Sequence, residues 1–217
     1  MLEWAQRVRR DWRPFEEERY GGWWFGFAEG ITKRANCALV VDPDADVSEV
    51  TSRYSARGLS PCVQVWPGEE AVDRRLADHG YRVVEPTLVL AREIDERPEG
   101  AGTSRIDDTP GPMWAGRPET RILGQVHTAY GVAERDLGRG AVVLDGESVG
   151  VCAMFTEPHA RGRGTAGRFL ADLLGWAHDR GARRAYLCVV ADNASALRSY
   201  ERSGFVGVSE YHNRVLP

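Results

Sequence analysis

The chain predicts an α/β (α+β) fold in two lobes, on three observations. A short apolar run, Ser148–Thr156, passes through a glycine-rich turn into an amphipathic helix. The order strand, turn, helix returns at Ala185–Arg202, and the front half carries it again between Val47 and Ala91. Apolar runs bounded by glycine or proline read as strands buried on both faces, and apolar residues at helical spacing read as helices packed on them.

In chain order, Gly21-Gly-Trp-Trp-Phe25 reads as strand core, with Trp4, Trp12, Trp23 and Trp24 crowded into the first 30 residues. The other use of such rings is to line a pocket that stacks an organic amine. Val47–Arg57 reads as a helix with Val47, Val50 and Tyr54 on one face and Gly58 as its stop. Cys62–Trp66 is a strand, Glu69–His79 a helix ended by Gly80-Tyr81, and Val83–Ala91 a further strand. The Pro-, Gly- and acid-rich segment Arg92–Pro118 reads as the connection between lobes, which sets domains of 1–95 and 96–217. Glu119–His127 forms a short helix. Gly131–Gly140 leaves little room for a hairpin between Ala129-Tyr130 and Ala141–Leu144.

The back half is more sharply punctuated. Ser148–Thr156 is bounded by Gly146 and Pro158, and Ala166, Phe169, Leu170, Leu173, Leu174 and Ala177 then recur on one helical face until Gly181. Ala185–Val190 is a second buried strand. Ala191-Asp192-Asn193 supplies turn and cap chemistry for the helix Ala194–Arg202, Gly204 ends it, and Val206–Val215 is a last strand carrying Tyr211 and His212.

Between the first of those strands and its helix lies Pro158-His-Ala-Arg161-Gly-Arg-Gly164-Thr-Ala166. Two glycines allow a tight turn with unobstructed N–H groups, and the helix adds its unpaired amides and the positive end of its dipole. A helix N-terminus alone favours an anion by only about 0.3–1 kcal/mol when exposed, so Arg161 and Arg163 are needed to hold a diphosphate. The plainer alternative is an ordinary strand-to-helix turn with two solvated arginines. A Walker lysine and a third glycine are both missing, which disfavours ATP and NAD as ligands.

Composition narrows the class. A chain of 217 residues, 42% hydrophobic and 28% charged, can bury a substantial core. A net charge of −4 argues against nonspecific nucleic-acid binding and favours a cationic acceptor. Lys33 is the only lysine. No apolar stretch approaches a membrane span and charge begins at Glu3, so neither secretion nor anchoring is expected and the cytoplasm is the expected compartment. Cys37, Cys62, Cys152 and Cys188 fall in strand-like runs without metal-ligand spacing and read as buried thiols. His79, His127, His159, His178 and His212 are scattered, so no metal site is expected.

Residues of about 140–217 resemble the GNAT acetyltransferase superfamily. Its motif Gln/Arg-x-x-Gly-x-Gly/Ala is matched by Arg161-Gly-Arg-Gly164-Thr-Ala166, and its later pattern by Asn193, Tyr200, Gly204 and Phe205. The resemblance implies mixed, mostly antiparallel sheets flanked by helices. It implies that Gly162, Arg163, Gly164, Thr165 and Ala166 hold the pyrophosphate of acetyl-CoA by their amides, with Arg161 and Asn193 beside it. It also implies that the strand ending at Thr156 splays from Ala185–Val190, with pantetheine bonded to the backbone of Met154, Phe155 and Thr156. The family's opening strand and pair of helices are not clear in residues 97–130.

Acyl transfer from a thioester to an amine needs a neutral amine, a polarised carbonyl and a protonated leaving thiolate. Tyr200 is the candidate acid, because a phenol titrating near 10 stays protonated where a thiol titrating near 8.5 departs. Its other reading is a core aromatic. Backbone N–H groups of Val149–Thr156 are the candidate carbonyl polarisers. Glu157 is taken as the catalytic base, with His159 beside it, Tyr211 and His212 on the acceptor side, or a chain of waters as alternatives.

The front half repeats the layout without the chemistry. Gly204-Phe205 follows Gly80-Tyr81 by 124 residues; at that offset Leu76 stands for Tyr200 and Glu69 for Asn193. Val41-Asp-Pro-Asp-Ala-Asp46 places carboxylates where a diphosphate turn should be, and these would repel it. The front half therefore reads as a degenerate, non-catalytic copy; two unrelated α/β pieces are the alternative. The expected activity is acetyl-CoA-dependent N-acetyl transfer to a small-molecule, peptide or protein amine by a monomer or homodimer. The competing classes are a non-catalytic acyl-CoA-binding protein and a nucleotide-binding protein.

Overall fold

The computed structural model describes residues 2–217. The chain forms two compact units, Met1–Leu88 with Ser209–Pro217, and Val89–Val208.

The first unit opens with helix α1 (Leu2–Asp11), in which Ala5 and Val8, with Trp12 just beyond, are buried. Strands β1 (Glu16–Tyr20) and β2 (Trp23–Phe27) form an antiparallel hairpin, and β3 (Leu39–Val40) pairs with the other edge of β2. The strand expected from Gly21 starts at Trp23. Gly21 and Gly22 are its turn, at φ 55° and 82°, a region that disfavours side chains. Asp46 caps α2 (Val47–Ser55) by accepting from the Ser48 amide at 2.9 Å, and Val47, Val50 and Tyr54 face inward. Strand β4 (Cys62–Val65) and helix α3 (Glu70–Asp78) follow as expected, with Val72 and Leu76 buried. These side chains close on Trp23, Phe25 and Phe27 in one core. Each large apolar group fully buried there contributes roughly 1.5–3 kcal/mol. Tyr54 packs on Phe27 at 5.1 Å and donates its hydroxyl proton to the Gly26 carbonyl at 2.9 Å, so its polar end is satisfied.

Strand β5 (Arg82–Glu93) contains the boundary between the units. The second unit continues with β6 (Arg105–Asp107), α4 (Glu119–Leu123), β7 (Thr128–Val132), β8 (Gly138–Asp145), β9 (Ser148–Thr156), α5 (Thr165–His178), β10 (Arg184–Val190), α6 (Ala194–Arg202) and β11 (Val206–Val215). Its sheet runs β5-β10-β9-β8-β7-β6. Neighbours from β6 to β9 are antiparallel, and β9 pairs with β10 in parallel. From Ser209 onward β11 belongs to the first unit, where His212–Val215 pair antiparallel with Val65–Cys62 of β4. The expected mixed, mostly antiparallel α/β architecture is therefore present.

Several expectations are corrected. The opening strand that was not clear in residues 97–130 is β6, a short strand paired with β7, and Pro112–Trp114 form a 3₁₀ turn with Trp114 buried. Helix α4 ends at Leu123: after the Gly124 amide bonds the Thr120 carbonyl at 2.9 Å, the Gln125 and Val126 amides bond only three residues back, to Ile122 and Leu123, at 3.2 and 3.3 Å. The β7–β8 hairpin is complete, since Gly131 and Gly140 lie inside its strands and are register partners. A Cβ on Gly131 would come within 2.6 Å of Leu173 and 2.9 Å of Phe169, so that glycine lets α5 pack close to the sheet. Cys37 precedes β3 instead of lying in a strand; Cys62, Cys152 and Cys188 do lie in strands.

Two pairs of elements stand at the offset read in the sequence. Helices α3 and α6 are both nine residues long, and α6 begins and ends 124 residues after α3. Strand β11 begins 124 residues after β5.

Candidate active site

The parallel ladder between β9 and β10 runs from Ser148–Arg184 to Val151–Leu187 and stops. Beyond it Cys152–Thr156 stay paired with β8 alone. The register with β8 jumps there, from Ala141–Cys152 to Arg139–Phe155, so Ala153 and Met154 together oppose Gly140. Ala153 sits in the left-handed region at φ 51°, a bulge that bends β9 at the fork. The splay implied by the resemblance is thus built into β9 by one extra residue.

After β9 the chain makes a 3₁₀ turn at Pro158–Ala160 and enters α5 through Arg161–Gly164. Gly162 and Gly164 have φ 72° and 74°, and nothing lies within 4 Å of where a Cβ on Gly162 would be. The first bond of the α5 ladder is from the Arg168 amide to the Gly164 carbonyl at 3.1 Å. The amides of Thr165, Ala166 and Gly167 precede it and are the unpaired donors of the helix start. The Thr165 hydroxyl turns away, donating to the Ala160 carbonyl at 3.2 Å, so this residue offers its backbone and not its side chain. Arg161 folds back to donate from Nε to the Thr156 carbonyl at 3.1 Å, and Arg168 donates to the Arg163 carbonyl, also at 3.1 Å. The turn is a concave set of amides edged by arginines, and its chemistry fits a diphosphate.

On the far side of the fork, Asn193 caps α6, its Oδ1 accepting from the Ala196 amide at 3.1 Å. Tyr200, two turns along, is half-buried and stands edge-on to Phe205 at 6.1 Å. Burial pushes its phenol up to about 12, helped by the neighbouring Cys152. The same thiol and burial raise Tyr130 on β7. Cys152 at the fork is thus close enough to act on the charge of both phenols, a grouping that no sequence spacing announces.

The base candidates separate. Glu157 is half-buried at the end of β9, its amide bonded to the Leu137 carbonyl at 2.9 Å, and His159 is exposed. Tyr211 and His212 lie in the part of β11 that belongs to the first unit. There the Tyr211 hydroxyl accepts from Arg34 Nε at 3.1 Å, and His212 Nε2 sits 2.7 Å from Asp73 Oδ1. Of the early tryptophans, Trp23 is core, its indole N–H donating to the Asp46 carbonyl at 2.9 Å. Among the described residues no group of three or more His, Cys, Asp and Glu side chains is disposed to hold a metal. No described helix is long and apolar enough to cross a membrane.

Residues 6–215 match the family model described as "Probable histone acetyltransferase Rv0428c C-terminal". The chain is similar to the uncharacterized N-acetyltransferase YobR of Bacillus subtilis, 26% identical over 94% of each chain. It is also similar to the probable histone acetyltransferase Rv0428c of Mycobacterium tuberculosis, 27% identical over 95% of this chain and 70% of the relative. Among solved structures, a GCN5-related N-acetyltransferase from Kribbella flavida superposes with a TM-score of 0.67, at 16% identity, over 98% of this chain and 95% of the other. The forked strands, the amide-lined turn and these matches lead to one assignment: the chain belongs to the family of the Rv0428c C-terminal region and is an acetyltransferase of the GNAT type.

Proposed function

We propose that this acetyltransferase moves an acetyl group from acetyl-CoA to a primary amine, of a small molecule or of a peptide or protein, directly within a ternary complex. The observation that carries the reading is the fork: the β9–β10 ladder ends at Val151–Leu187, with the glycine turn at the exit of β9 and the Tyr200 helix at the exit of β10. When bound, acetyl-CoA supplies an acyl thioester that is reactive towards amines. The amides of residues 162–166, edged by Arg161 and Arg163, hold its diphosphate. Met154, Phe155 and Thr156 offer backbone groups to the pantetheine arm, and Asn193 shapes the opposite lip by capping α6. Tyr200 keeps a proton at its phenol oxygen for the leaving sulfur, because at about 12 it is fully protonated at neutral pH. Glu157 takes the proton of the acceptor amine, directly or through water.

In this reading residues 96–217 form the catalytic domain and residues 1–95 a degenerate copy. The matching limits of α3 and α6 support it, as does Leu76, which is fully buried at the position of Tyr200. The protein works in the cytoplasm as a monomer or homodimer, on neither nucleic acid nor membrane.

Calorimetric titration with acetyl-CoA, with ATP as control, tests the cofactor; the expected result is micromolar binding of acetyl-CoA alone. Tyr200→Phe then tests the chemistry. It should lower kcat on the order of 10²-fold with acetyl-CoA affinity unchanged. Equal binding of ATP, or full activity of Tyr200→Phe, would sink the respective assignment.

A further inference from the structure

Arg139 lies on β8 as the register partner of Phe155, one residue before the glycine that faces the bulge. A Cβ on Gly140 would meet Met154 and Phe169 of α5, so Arg139 points to the opposite face of the sheet. Its guanidinium rests 4.6 Å from the Phe155 ring and 5.7 Å from the Trp114 ring, and the residue is only 7% exposed. Trp114 in turn packs edge-on against Tyr130 at 5.2 Å.

A buried guanidinium needs its donors satisfied, at a cost of several kcal/mol otherwise. This one is satisfied only in part. Nε has no hydrogen-bond partner among the described residues, and the ion pair from Nη2 to Glu119 Oε1 is long at 3.8 Å. Burial lowers the Arg139 pKa from its usual value, and nearby Arg117 adds to the effect, while Glu119 and Glu157 oppose it. Arginine is the side chain suited to gripping a carboxylate with two parallel bonds. Arg139 lies against the Phe155 and Trp114 rings with Glu119 beside it, and Arg117 and Glu157 lie near enough to act on its charge, a charge set complementary to a molecule bearing both signs.

We infer that Arg139 determines acceptor specificity by binding a carboxylate next to the reactive amine, so that the acceptor class is a free amino acid or similar small zwitterion. The inference rests on the acetyl-transfer reading above and deepens it. Arg139 takes the acceptor carboxylate, with Arg117 nearby, and Glu119 and Glu157 face the ammonium before it is deprotonated. The amine is thereby held at the end of β9, beside the residues proposed for the thioester arm.

The test compares amino acids with their decarboxylated amines, for example phenylalanine with phenethylamine and leucine with isoamylamine. Binding to the full chain in the presence of CoA is read by calorimetry, and KM and kcat are read from CoA release. The wild type should prefer the acids by about 10-fold or more in both Kd and KM. Arg139→Gln should erase that preference through KM, leaving kcat within a few-fold and acetyl-CoA affinity unchanged, and Arg139→Lys should keep part of it. Equal affinity for acid and amine in the wild type, or a preference that survives in Arg139→Gln, overturns the inference. If Arg139→Gln fails to fold, the wild-type comparison and Arg139→Lys decide it. Binding of acetyl-CoA without binding of either compound refutes the acceptor class alone, whereas no binding of acetyl-CoA refutes the underlying reading.

Discussion

Glu69, at the start of α3, shows what happens when a capping position is filled by a residue suited to a different task. At the equivalent place before α6, Asn193 accepts an amide of its own helix; Glu69 instead reaches back to the Trp66 amide at 2.9 Å. Burial pushes its carboxyl up to about 7, and the adjacent Glu70 adds to the rise. A raised folded-state pKa contributes stability that is complete below the unfolded value near 4.5 and is lost as pH rises through about 7. Glu69→Gln keeps the acceptor oxygen and removes the titration. The variant should be more stable than wild type by about 2 kcal/mol at pH 8.5 and nearly equal to it at pH 4, measured by urea unfolding at the two pH values. Equal stability at both would mean that the carboxyl ionises without penalty.

At the scale of the element, the entry to α5 combines backbone conformation with ligand chemistry. Gly164 stands at the N-cap in the left-handed region, and an added Cβ would meet only the movable end of Arg168, at 3.0 Å. Gly164→Ala therefore acts chiefly through the backbone, with about 1–2 kcal/mol of strain. Since that strain re-aims the amides of the turn, acetyl-CoA affinity should fall about 10-fold with little change in Tyr200. Unchanged affinity in a destabilised variant would separate the turn from the cofactor. The glycine punctuation that makes this turn matter also made it legible: β9, α5, β10 and α6 stand where apolar runs and glycine stops put them. Elements without that contrast were harder to read. Helix α1 hides its inward residues Ala5 and Val8 among six charged or polar neighbours, and β1 is Glu-Glu-Glu-Arg-Tyr, a strand only because β2 pairs with it. Strand β6 is three residues long. The surroundings of Arg139 were illegible for another reason: Trp114 and Phe155 reach it from segments 25 residues before and 16 residues after, and no local pattern records the meeting.

At the scale of the molecule, the first unit depends on the end of β11. Asp73 of α3 holds that strand by a two-point bond with Arg214, at 2.7 and 2.9 Å, and by His212 at 2.7 Å. The Arg214 hydrogen bonds come first among the causes that lower the Asp73 carboxyl to about 2. A lowered folded-state pKa contributes stability that is present above the unfolded value near 3.8 and lost as pH falls through about 2. Asp73→Asn should cost the first unit about 2 kcal/mol at pH 7, with the difference from wild type vanishing near pH 2. Hydrogen exchange should show the loss in β4 and His212–Val215, with β8 and β9 still protected. Uniform loss across both units would mean that they unfold as one.

The discontinuity of the first unit also has a consequence during synthesis. Ser209, the first residue of its closing segment, follows Leu88 by 121 residues, and the whole second unit is made in between. A ribosome that releases domains in order usually lets the N-terminal one settle first. Here β4 waits with an unclaimed edge while the second unit emerges and folds, so the half that is translated first is the half completed last.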